Sequence, residues 1–103
     1  MRSTQMDKDP QDKRAEACRL DVWLYRTRLQ KTRTGAAKLI LGGKVRVTRH
    51  GKTERTRKPH TIIRPGDGVT FMRGTELLSV RMKEAGTRRG PAPEAQTLYE
   101  PME

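Results

Sequence analysis

Lys31-Thr32-Arg33-Thr34-Gly35-Ala36-Ala37-Lys38-Leu39-Ile40-Leu41-Gly42-Gly43 is the stretch from which the rest of the chain can be organised. Thr32 or Thr34 suits a helix N-cap, because a threonine hydroxyl can accept from an unpaired first-turn N–H. A short helix is expected from about Thr34 to Leu41, with Ala36, Ala37, Ile40 and Leu41 as its buried stripe. Gly42-Gly43 then supplies the positive-φ stop that ends helices. Lys31 and Arg33 stand at the wrong end for the helix dipole, which favours anions there. Exposed first-turn N–H groups and two cations together make a corner suited to phosphate.

Upstream, Leu20, Trp23, Leu24 and Thr27 recur at i, i+3, i+4 and i+7, which predicts a first helix from Arg19 to about Leu29. Trp23 reads as a core anchor in preference to a base-stacking platform. Residues 1–17 mix both charge signs around Pro10 without an apolar period and read as a disordered leader. Downstream the period changes to two. Lys44-Val45-Arg46-Val47-Thr48 is a half-buried strand, and Thr53 to Thr56 is its candidate returning arm. Lys58-Pro59 ends that arm, and Pro65-Gly66-Asp67-Gly68 is a turn. Val69–Met72 and Leu77–Met82 read as two strands joined at Arg73-Gly74-Thr75. The expected architecture is α+β: two short packed helices, then a small, mostly antiparallel sheet of about four strands over 18–85. Residues 86–103 are expected as an extended C-terminal tail.

With 103 residues, only 32% of them hydrophobic, the chain can bury a modest core. No apolar run is long enough to span a bilayer. The single cysteine, Cys18, cannot close an internal disulfide and suits a reducing cytoplasm. Net charge is +11, from 23 Lys and Arg against 12 Asp and Glu. The excess is concentrated: between Arg19 and Arg64 the only acids are Asp21 and Glu54. A surface with no anionic partner intersperses both signs, so this distribution points to a polyanion.

Arg19-Leu20-Asp21, Leu24, Thr32-Arg33, Ala37, Ile40, Gly43, Val45, Val47 and Pro65-Gly66-Asp67 resemble the small RNA-binding domain first described in ribosomal small-subunit protein four (S-four), the αL RNA-binding motif. The resemblance runs from Arg19 to about Phe71. Arg88-Arg89-Gly90-Pro91-Ala92-Pro93-Glu94-Ala95, with Leu98-Tyr99-Glu100, is similar to the segment after that domain in the bacterial fifteen-kilodalton heat-shock protein family. That likeness implies a stand-alone, ribosome-associated binder of structured ribosomal RNA. It also implies an association with large subunits that retain a nascent chain on tRNA after translation aborts. The family's RNA face would fall on Arg19, Lys31, Thr32, Arg33, Lys38, Lys44 and Arg46. Two departures stand out. Thr48-Arg49-His50-Gly51 occupies the place of the family's Asn-Gly turn, and the basic loop to Lys58-Pro59 is longer. This predicts an extended cationic finger. Longer members also carry a basic extension beyond the position of Glu103.

Basic residues of the finger and the first helix end join the expected RNA surface: Arg26, Arg28, Arg49, Lys52, Arg55, Arg57 and Lys58. His50 and His60 lie in the basic region with no carboxylate or cysteine at metal-ligand spacing. No phosphate-binding glycine loop or Ser/His/Asp set is present, and Asp67 belongs to the binding domain of the resemblance. The expectation is a cytoplasmic, monomeric non-enzyme without metal or cofactor. Two alternatives are an RNA-targeting accessory subunit for a separate modifying enzyme, and a duplex-DNA binder whose helix pair mimics a helix-turn-helix.

Overall fold

The i, i+3, i+4, i+7 period upstream of the corner folds as read. In the computed structural model, which describes residues 17–102, Leu20, Trp23, Leu24 and Thr27 are all buried. They lie on or directly after helix α1 (Leu20–Arg26). The helix stops earlier than the pattern suggests, because Arg28 takes a left-handed conformation with φ 64°. Its N–H bonds to the Tyr25 carbonyl, while the Thr27 hydroxyl donates to the Leu24 carbonyl. Helix α2 (Arg33–Leu41) follows and packs against α1. Its buried side differs from the expected stripe. Ala36 and Ile40 are buried and Leu39 packs against the core, whereas Leu41 is 58% exposed. Leu41, the last helical residue, is turned about 100° from its neighbour Ile40 and so leaves the core side.

Beyond α2 the chain forms β2 (Val45–Arg49), β3 (Lys52–Thr56), β5 (Gly68–Arg73), β6 (Glu76–Met82) and β7 (Tyr99–Pro101), with a short α3 (Ala92–Ala95) and a 3-10 turn before β7. These strands make an antiparallel five-stranded sheet in the order β3-β2-β5-β6-β7. Two two-residue strands, β1 (Cys18–Arg19) and β4 (Ile62–Ile63), pair separately. The strand count therefore exceeds the expected four. Alternation decides the faces: Val45, Val47, Val69, Phe71, Val80 and Met82 point to the helices and are buried with Leu20, Trp23, Leu24 and Ile40.

The C-terminal segment corrects the expected extended tail. It folds back over α1, and β7 pairs with β6, Met82 against Tyr99 and Val80 against Pro101. Ala95 and Leu98 are buried, outside the main cluster. Pro91 and Pro93 stand at the start of α3, where a missing N–H costs nothing. The expected leader lies outside the described residues apart from Ala17. Burial pushes the Cys18 thiol up to about 11, so little thiolate is present near neutral pH.

Candidate nucleic-acid interface

The corner that opened the sequence reading is built by Thr32. Its hydroxyl accepts from the Gly35 N–H at 2.8 Å and caps α2. No acidic residue follows in the first turn, so nothing offsets the positive helix end there. Lys31, Thr32 and Arg33 are all exposed around it. Lys38 stands on the exposed side of α2, and Lys44 is exposed in the turn that leads into β2. Arg46 follows on the sheet face away from the helices.

The finger is a regular two-stranded hairpin. His50 and Gly51, with φ 54° and 77°, make a two-residue turn of the doubly left-handed kind that matches strand twist. Arms of five residues pair in full, from Arg49 opposite Lys52 to Val45 opposite Thr56. This register sets Arg46 directly across from Arg55, and Arg49 across from Lys52. Like charges opposite one another destabilise a ladder. The Arg46–Arg55 pair, with no carboxylate beside it among the described residues, sets positive potential here at the expense of local stability.

The turn between α2 and β2 joins the corner to the finger. Gly43 has φ 74°, and a Cβ placed on it would lie 2.9 Å from the Arg57 guanidinium carbon. Arg57 thus rests on the glycine turn and draws the finger's base toward the helix. Gly43→Ala is expected to cost about 1–2 kcal/mol of stability from the left-handed backbone. It should also displace Arg57, and urea unfolding together with an RNA titration checks both effects.

Among the described residues, no carboxylate pairs with Lys31, Arg33, Lys38, Lys44, Arg46, Arg55, Arg57 or Lys58. Five other cations of the expected surface have internal partners. Arg19 forks onto the buried carboxylate of Asp21, at 2.9 and 3.1 Å, and its side chain remains 48% exposed. Lys52 pairs loosely with Glu54 at 3.4 Å on the surface. Arg49 forks onto Asp67, as close as 2.7 Å, and donates to the Ile62 carbonyl. The same carboxylate accepts from the Arg64 N–H, so Asp67 pins the Pro65-Gly66 turn to the finger's base. Asp67 holds the Arg49 guanidinium charged to higher pH than usual. Arg26 and Arg28 turn the other way. Arg26 donates to the Gly86 carbonyl at 2.8 Å, and Arg28 donates to the Gly90 carbonyl at 2.6 Å. Both clamp the C-terminal segment, a job the sequence reading did not foresee. Arg89, missed entirely, completes the clamp: it donates to the Tyr25 carbonyl at 3.0 Å and lies 4.9 Å from the Tyr25 ring centre.

Among the described residues, no group of three or more His, Cys, Asp or Glu could hold a metal ion, and no helix is long and apolar enough to cross a membrane.

A capped helix corner and the strand turned from it by two glycines define the class. Residues 18–47 match the S4 domain family. A solved structure titled as trimeric heat shock protein 15 of Vibrio cholerae superposes with a TM-score of 0.73 at 34% identity, covering 84% of this chain and 83% of that one. Heat shock protein 15 of Escherichia coli strain K12 is 38% identical over 86% of this chain. The homologue from Haemophilus influenzae is 35% identical over 82% of this chain. The chain belongs to the heat shock protein 15 family. It spans 63% of the length of the Escherichia coli relative and 61% of the Haemophilus one.

Proposed function

We propose that this protein is a non-catalytic, cytoplasmic RNA-binding protein that docks on structured ribosomal RNA of the large subunit. In this reading it acts on subunits that retain a nascent chain after aborted translation. The observation that carries the RNA part is the continuity of cations without carboxylate partners among the described residues, from Lys31 and Arg33 through Lys38 and Lys44 to the paired arms of the finger. Phosphate contacts would supply affinity, and the fixed angle between helix corner and finger would select A-form or junction shape. The large-subunit part rests on family membership.

If about five to seven phosphates are neutralised on duplex RNA, log K should fall against log salt with a slope of about −4 to −6. A flat response would overturn the phosphate mechanism. Sedimentation of the tagged protein through sucrose gradients should place it with free large subunits more than with full ribosomes. Co-purification with an RNA-modifying enzyme instead would favour the accessory-subunit reading, and tighter binding to duplex DNA at matched salt the DNA reading. We propose that a single copy engages the RNA. The Vibrio cholerae relative is described as trimeric, so light scattering at working concentration is the direct check.

A further inference from the structure

The side of the finger that faces the helices extends past the core and leaves a cleft of about 780 Å³ between β3 and the loop that ends at Thr61. That volume is within the roughly 300–1,000 Å³ of small-ligand sites. Val47 forms an apolar part of its lining, and Glu54 stands directly across the ladder from Val47. Arg57 and Lys58, just beyond the end of β3, line it as well. The threonine wall is already satisfied. The Thr61 hydroxyl donates to the Lys58 carbonyl at 2.7 Å and lies 2.7 Å from the Thr56 hydroxyl. Among the described residues, the Glu54 carboxylate has one exposed ion-pair partner, Lys52, at 3.4 Å. Such a pair is worth little and is readily exchanged.

A cleft intended only for phosphate has no use for a carboxylate, which repels it. The lining asks for three things in one ligand: a flat apolar face for Val47, N–H donors for Glu54, and an attached phosphate for the cations. An unstacked nucleotide has all three, and single-stranded bases are read in this way. A carboxylate only accepts, and it accepts best from two parallel N–H groups. Guanine alone among the four bases presents two adjacent N–H donors, N1–H and N2–H, on its pairing edge. Adenine, cytosine and uracil each set their donor beside an acceptor, which faces a carboxylate unfavourably.

Resting on the RNA-binding reading above, we infer that the cleft under the finger receives one unpaired guanosine, read by Glu54 and held through its phosphate by Arg57 and Lys58. Fluorescence anisotropy with the full chain tests this on one RNA stem carrying a single bulged G, A, C, U or inosine, at constant salt. Bulged G should bind about tenfold tighter than bulged A. Inosine, which lacks the 2-amino donor, should fall between them. In Glu54→Gln, whose amide replaces one acceptor by a donor, the ratio of G to A should collapse toward one, with circular dichroism verifying the fold. Equal affinity for all bulges, or an undiminished G preference in Glu54→Gln, overturns the guanosine site. Failure of the bulge-free stem to bind with a salt slope would instead remove the RNA reading on which it rests.

Discussion

Replacing both Lys31 and Arg33 with alanine will weaken binding to a ribosomal RNA stem by about thirty- to eight-hundredfold at moderate salt, if each side chain makes one charge-assisted phosphate contact of roughly 1–2 kcal/mol. The salt slope should shrink by about two, one for each cation removed. Stability should move the opposite way. Both cations crowd the positive end of α2 with no acid in its first turn. Their loss should therefore raise stability by about 0.3–1 kcal/mol. Binding titrations beside thermal melts read both effects. Weaker binding with an equal or higher melting temperature separates a ligand contact from a folding defect. Unchanged affinity would remove the corner from the interface.

Trp23→Ala will remove a large share of the chain's stability. The indole is fully buried, and its N–H donates to the Glu84 carbonyl at 2.9 Å. Truncating such a side chain costs about 3–5 kcal/mol, in a chain whose whole stability is on the order of 5–15 kcal/mol. The damage should extend beyond the cavity. Glu84 and its neighbour Lys83 also bond through their N–H groups to the Leu98 carbonyl, so the indole anchors the start of the C-terminal clamp. Because Trp23 is the only tryptophan, unfolding has to be followed by circular dichroism. Trp23→Phe keeps most of the volume and loses the hydrogen bond, so it should cost less, about 1–3 kcal/mol. A Trp23→Ala variant within 1 kcal/mol of wild type would contradict the core-anchor role.

Much of this architecture was legible wherever a local rule and a tertiary demand agreed. The period of α1, the threonine cap of α2, the alternation of β2 and the turns at Pro65-Gly66 and Gly74 each encode their geometry in neighbouring residues. Leu41 was misassigned because it follows Ile40 directly, and consecutive helical side chains diverge by about 100°. The register of the finger was not legible because histidine is an uncommon choice for a left-handed turn position. Its neighbour Gly51 and the full pairing of both arms hold His50 there. The C-terminal segment was missed for a different reason. Its contacts lie about sixty residues away, in Arg26 to Gly86, Arg28 to Gly90 and Arg89 to Tyr25. No periodicity over so short a stretch reports on them.

The same division applies to the corner from Lys31 to Gly43. Sequence alone determined that a capped helix begins there with cations at its positive end, since capping and the dipole are properties of consecutive residues. It also determined the excess charge and where along the chain that charge is concentrated. Only the tertiary structure decided how each cation is used. Arg19 and Arg49 are forked onto Asp21 and Asp67, Arg26 and Arg28 hold the C-terminal clamp, and Lys31, Arg33, Lys38, Lys44 and Arg46 are left without carboxylate partners among the described residues. A guanidinium looks the same in sequence whether it meets a phosphate or a carbonyl. What it meets depends on which distant backbone the fold brings within about 3 Å.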